Sequence, residues 1–162
     1  MSTKTRHKRG ENGASLVEFA LIAPLLLLVL LGTIEFGYLF GQYNEVRHAA
    51  REGARYAAVS YPDRDGGGVA SSDVIDAVCD AINLHGSTVI VTITEIDADG
   101  NDINSGANPN RGDYGEVSIA ATVNSLSGAP LITSFLPTQL DNNAVFRLEQ
   151  DAAWTAGDSG TC

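Results

Sequence analysis

Hydrophobic positions follow two different patterns along this chain. From Phe19 to Gly41 they are nearly continuous, twenty-three residues with one charge, Glu35, around the core Leu21-Ile-Ala-Pro-Leu-Leu-Leu-Leu-Val-Leu-Leu31. A helix of about twenty apolar residues reaches across the hydrocarbon core of a bilayer. A helix of a water-soluble domain that meets water would keep a polar face, and this run has none. Pro24 breaks a helix in water but is tolerated in lipid. Gly32, Gly37 and Gly41 thin one side of the rod, a feature that suits close helix–helix packing. The pattern predicts a helix that spans a membrane over about 19–41.

The helix is expected to continue past the apolar run, because residues 42–60 contain no proline and repeat alanine and arginine at helical spacing. Val46, Ala50, Gly53, Ala54 and Ala57 form a flat stripe suited to packing, and Arg47, Arg51 and Arg55 form a second stripe beside it. Like charges four apart repel on an isolated helix. The arginine row therefore faces acid, either the body of the chain or anionic headgroups, or it is a solvated face balanced by Glu45 and Glu52. Residues 61–68, with Pro62 and three consecutive glycines, read as a hinge. No Lys-Ser/Thr follows them, as a phosphate-cradling loop requires.

Beyond the hinge the periodicity shortens. Ser72 or Asp73 caps a helix running to Leu84, with Val74, Ile75, Val78, Ala81 and Ile82 inward. Residues 88–96 and 116–123 alternate as strands, residues 124–141 form an irregular crossover with a short apolar turn at 131–136, and residues 144–154 form a third strand. The expected architecture is α+β: a long N-terminal membrane-spanning helix (14–60), then a small pilin-like domain (69–162) of one short helix on a three-stranded antiparallel sheet.

Charge orients this plan. Residues 1–13 carry a net +3, residues 14–60 a net −1 and residues 61–162 a net −12, within a total of −10 over 162 residues. The basic tip reads as a cytoplasmic leader, and the acidic body lies outside. So acidic a body repels phosphate backbones, which sets nucleic acid aside. A cleaved secretory signal would have a shorter apolar stretch with a small-x-small site behind it, so the segment is expected to stay attached.

Glu18 stands out at the inner mouth of the run. An ionised carboxylate at the bilayer centre costs roughly 2.5–3.5 kcal/mol, and less near the interface. It either reaches back to headgroup water or meets a positive partner. The string Gly13-Ala-Ser-Leu-Val-Glu18-Phe19 behind a basic tip resembles the type IV prepilin class. That resemblance implies a cut between Gly13 and Ala14 by a membrane aspartyl peptidase, which leaves the apolar helix intact. The new α-amine of Ala14, at about 4 Å from a carboxylate, gains about 4 kcal/mol at an effective dielectric of 20, enough to offset burial of Glu18. The pair forms within one chain or between neighbouring helices.

With Ile34-Glu-Phe-Gly37 and Ala49-Ala-Arg-Glu-Gly-Ala-Arg-Tyr-Ala57, the chain is similar to the TadE-like family of tight-adherence (Flp-type) pilus assembly. The resemblance covers about residues 10–60. It implies a single-pass minor pilin or pseudopilin without enzymatic activity. Implied partners are the membrane, a prepilin peptidase, related minor pilins and pilus subunits, and an assembly platform with its ATPase.

Cys79 and Cys162 are the only cysteines. Outside the cytoplasm they are expected to join the short helix to the C-terminus; the alternative is a buried thiol and a free tail. The loop Asp97-Ala-Asp-Gly-Asn-Asp102 opens like a calcium loop, but it lacks glycine at the sixth position and has Asn108 where a bidentate glutamate belongs. His7, His48 and His85 lack metal-ligand spacing, and no nucleophile elbow occurs. No cofactor is expected. The rival reading is an unprocessed, membrane-tethered binding module holding calcium at this loop.

Overall fold

The computed structural model describes residues 11–59, 70–103, 109–128, 133–149 and 157–162. The hinge at 61–68, most of the basic leader, Asn108, Leu131 and Trp154 lie outside the described residues.

One helix, α1, runs from Glu11 to Val59 and passes through Pro24 without interruption. A short helix, α2 (Ser71–Ala81), follows, and then strands β1 (Val89–Ile96), β2 (Tyr114–Thr122), β3 (Gln139–Arg147) and β4 (Ser159–Thr161). The strands form one antiparallel sheet in the order β3-β2-β1-β4. The chain is therefore α+β, with a long apolar helix leading into a compact helix-on-sheet body.

The period-two pattern of β1 and β2 fixes both faces of the sheet. Val89, Val91 and Ile93 pair with Ala121, Ile119 and Val117, and all six are buried. Between them Ile90, Thr92 and Thr94 pair with Ala120, Ser118 and Glu116 on the outer face. The inner face is covered by Val46, Ala49, Ala50, Ala54 and Ala57 of α1 and by Val74 and Val78 of α2. Alanines on α1 let the helix lie close to the sheet. At Gly115 the approach is closer still: a Cβ there would stand 2.5 Å from Cζ of Phe146, its partner on β3.

Two strands differ from expectation. β3 begins at Gln139, within the stretch expected to be a crossover, and its described end is Arg147. Asp141-Asn-Asn143 has turn composition, yet β3 is a sheet edge, where outward polar side chains cost nothing and discourage further pairing. Leu140 and Phe146 supply its buried anchors.

The fourth strand was not expected at all, since Ser159-Gly-Thr161 shows no hydrophobic alternation. Backbone bonds hold it to the free edge of β1: Gly157 N–H donates to Ile93 O (2.8 Å), Ile93 N–H to Asp158 O (2.9 Å) and Cys162 N–H to Val89 O (2.9 Å). Gly160 lies under Ile75 of α2, whose carbons would be 3.0 Å from a Cβ.

Helix α2 also departs from its expected bounds. It starts at Ser71, so Asp73 occupies the third helical position rather than the cap; its Oδ2 accepts the Ala70 N–H at 3.0 Å. It ends at Ala81, where Ile82 turns extended, three residues short of Leu84.

Candidate assembly helix and its latch

α1 is one continuous helix in two environments. From Gly13 to Ile34 nearly every residue is exposed, including Leu16, Val17, Phe19, Leu21 and all of Leu25–Leu31. No part of its most apolar stretch is buried against the rest of the chain, and it is the one described helix long and apolar enough to cross a membrane. Residues 14–34 extend roughly 31 Å at 1.5 Å per residue, which matches a hydrocarbon core.

The apolar run continues to Gly41, but from Glu35 onward one side of α1 belongs to the folded body. Glu35 is only 1% exposed. Its Oε1 accepts the Leu126 N–H at 2.7 Å and its Oε2 the Ser127 N–H at 3.0 Å. Gln42, two turns further on, makes a reciprocal pair with Asn124: its Nε2 donates to Asn124 O at 2.9 Å and its Oε1 accepts the Asn124 N–H at 3.4 Å. The Asn124 side chain then donates to His85 O and Ser87 Oγ, tying in the α2–β1 turn.

Glu35 and Gln42 therefore latch the segment after β2 onto α1. In the sequence Glu35 is the lone charge of the apolar run, with no partner visible nearby. The signal was present: a single carboxylate in an apolar run must find donors, and Gln42 seven residues later shares its helical face.

The small-residue positions fall into two groups, open through Gly41 and buried from Ala49 onward. Ala50, Gly53 and Ala54 are buried against the chain's own sheet and α2, so their packing is intramolecular. At Gly53 a Cβ would stand 2.3 Å from Val78 Cγ2 and 3.3 Å from Val117 Cγ1. Gly32, Gly37 and Gly41 have nothing within 4 Å of a Cβ position. Those three leave open grooves, whereas Gly53 fills a required close approach.

Arg47, Arg51 and Arg55 are exposed on α1, away from the buried stripe. They are not on the face of the helix packed against the chain's own sheet. Arg55 pairs instead with Glu52 on the same helix, Nε to Oε2 at 3.0 Å. This hydrogen bond holds the Glu52 carboxyl below its ordinary range and raises Arg55. So exposed a pair contributes little to stability.

At the other end of the rod, Gly13 and Ala14 lie within the helix that begins at Glu11, and Glu18 and Phe19 are exposed on it. The Glu18 side chain stands one turn past Ala14, and helical side chains lean toward the N-terminus. A protease reaching the Gly13–Ala14 bond has to unwind the first turn, and glycine lowers the cost of doing so.

In the body, Cys79 of α2 and Cys162 are joined by a disulfide, with S–S 2.02 Å and Cα–Cα 5.5 Å. The loop after β1 is organised by its own donors. Asp97 Oδ1 accepts the N–H groups of Asp99 (2.9 Å) and Asn101 (2.8 Å), and Oδ2 accepts Asn101 Nδ2 (2.9 Å). The Asn101 amide, with the loop N–H groups, lowers the Asp97 pKa. The carboxylate that would open a calcium loop is thus engaged by nitrogen donors. Among the described residues no three His, Cys, Asp or Glu side chains are grouped to hold a metal ion.

Residues 13–55 match the family described as TadE-like protein. No curated protein and no solved structure matches the chain. The matched segment covers the bare rod with Gly13, Ala14 and Glu18, the latch residues Glu35 and Gln42, and the buried face through Ala54, but none of the sheet. It implies a pilin-like protein associated with a Tad pilus, and this chain carries a TadE-like domain over residues 13–55.

Proposed function

We propose that this chain is a single-pass, non-enzymatic pseudopilin that helps assemble or prime a tight-adherence pilus through its N-terminal helix. The observation that carries the reading is the bare half of α1: an apolar rod of bilayer length, uncovered on all sides and rigidly continuous with a folded body. Water does not tolerate such a surface, whereas lipid and neighbouring helices do. The basic tip stays in the cytoplasm and the acidic body, with its disulfide, lies outside.

In this reading a prepilin peptidase cuts between Gly13 and Ala14. Residues 14–34 then span the membrane, which places Glu18 a turn inside rather than at its rim. The freed amine of Ala14 answers the Glu18 carboxylate, in the same helix or in a neighbour. The open grooves at Gly32, Gly37 and Gly41 admit helices of related minor pilins or pilus subunits, which the assembly platform and its ATPase bring together. Arg47 and Arg51, roughly 20 Å or more beyond residue 34 along the helix axis, face an acidic surface of the body or of a partner.

Mass spectrometry of the membrane-extracted chain, made together with a prepilin peptidase, tests processing. Loss of residues 1–13 is expected; a chain retaining them is the tethered module instead. Glu18→Gln keeps the shape and removes the charge, and it is expected to abolish or strongly reduce piliation. Unaltered piliation with that variant ends the charge role.

A further inference from the structure

We propose that the body is seated in the outer face of the bilayer through a lipid-contacting foot formed by Leu126 and Phe135. The proposal rests on the reading of α1 as a membrane span. The latch brings the segment after β2 down alongside α1. Asn124 is held at Gln42, and two residues later the Leu126 N–H is held at Glu35. Gln42 and Glu35 are seven residues apart, roughly 10 Å along the helix axis. The chain therefore descends along α1 toward the membrane over Asn124–Leu126 and arrives at the rung of Ile34 and Phe36.

Those two helix residues are exposed, and so is Leu126, a residue 59% accessible. Leu126 contributes its backbone to the latch and leaves its apolar side chain outward. Any phase that covers Ile34 and Phe36 also covers a side chain at the same rung.

Phe135 lies at the same end of the sheet. Thr122 of β2 pairs with Gln139 of β3, and the Val123 N–H donates to Thr138 O, so the connection between these strands leaves and returns beside Asn124. Phe135 is three residues from Thr138, at most about 10 Å of chain. It is 82% exposed, the most exposed large hydrophobic residue in the described structure. Phe36, Tyr38 and Phe40 on α1 are also exposed at this level, and Tyr38 is of the amphipathic aromatic type that settles at membrane–water interfaces.

Leu126 is thus continuous with the lipid-facing surface of α1, and Phe135 is within chain reach of the same edge of the strongly acidic body. Their occupant is the boundary between headgroups and acyl chains, which takes apolar faces to a depth of about 5–10 Å. The foot fixes how the body stands on the membrane, since it adds contacts beside the single span.

The test places a tryptophan at each position in the full chain, with the single native tryptophan removed by Trp154→Phe. Leu126→Trp, Phe135→Trp and a mid-span reference, Leu27→Trp, are reconstituted in phosphatidylcholine vesicles carrying bromine at shallow or deep acyl positions. Leu126→Trp and Phe135→Trp are expected to show blue-shifted emission and to lose fluorescence mainly to shallow bromines, whereas Leu27→Trp loses it mainly to deep ones. Water-like, unquenched emission from either foot position, with Leu27→Trp quenched, overturns the foot and leaves the span intact. Absence of quenching at all three positions removes the span, and the foot with it. Both foot side chains are exposed, so the substitutions leave the folded body in place; retention of the Cys79–Cys162 bridge on non-reducing gels checks this.

Discussion

The two halves of α1 share one unbroken helix and obey opposite rules. Between Gly13 and Ile34 leucine faces every direction and glycine marks open space. From Val46 to Ala57 the buried face is alanine, valine and glycine, and the exposed face carries arginine, histidine and Tyr56. Bulk suits a half that packs against nothing in the chain and, in the proposed reading, meets fluid lipid, which conforms to any shape. Smallness is favoured where the neighbour is a sheet, which does not. The boundary is set by Glu35, a carboxylate too costly to leave in hydrocarbon and here held by the N–H groups of Leu126 and Ser127, with the Ser127 side chain as a further donor.

The comparison is broken most severely by opening the body that the second half packs against. Removing the bridge with Cys79→Ser and Cys162→Ser frees a connection of 83 residues and is expected to cost roughly 4–5 kcal/mol on chain-entropy grounds. Denaturant unfolding followed on the sheet reads the loss, while the helicity of the bare half in detergent stays unchanged.

Glu35→Ala attacks the boundary itself. It leaves the part-buried N–H groups of Leu126 and Ser127 without their acceptor, at about 1–2 kcal/mol, below the full cost of a wholly buried donor. Amide exchange at those two residues is expected to rise well before exchange in β1 and β2.

A matched pair of glycine substitutions then sharpens the contrast. Gly53→Ala gains about 1 kcal/mol of helix propensity but drives a methyl into Val78, an overpacking of about 1–3 kcal/mol, so the melting temperature is expected to fall. Gly32→Ala meets nothing in the chain and is expected to leave unfolding unchanged or slightly later. Any defect it causes should appear only in piliation, which would identify Gly32 as a contact between helices.

The smallest effect belongs to the arginine stripe. Arg55→Ala is expected to leave the melting temperature within error, because the pair with Glu52 is exposed. Carboxyl NMR is expected to show Glu52 titrating below the ordinary glutamate range in the parent and within it in Arg55→Ala. Because the folded pKa is lowered, the small contribution of this pair is present above the unfolded value and disappears as pH falls through the folded one.

Much of this molecule was readable one residue at a time. The apolar run, the alternation in β1 and β2 and the small stripe on α1 are local patterns, each tied to a period of the backbone. β3 was misplaced because an edge strand tolerates Asp141-Asn-Asn143, residues that elsewhere signal a turn. β4 was missed because three small residues become a strand only when a disulfide and the free edge of β1 hold them.

The candidate site divides in the same way. Gly13, Ala14 and Glu18 stand out by spacing alone, whereas the latch needed Asn124, Leu126 and Ser127 to return from some ninety residues away.

Sequence alone determined that this chain has a lipid-length rod, a TadE-like helix and an acidic α+β body, because hydrophobicity, charge and backbone period act locally. Tertiary structure alone decided where the rod ends, which glycines are filled and which stay open, and what answers Glu35. Those outcomes depend on which distant donors and side chains arrive at the same place, and no local pattern records that.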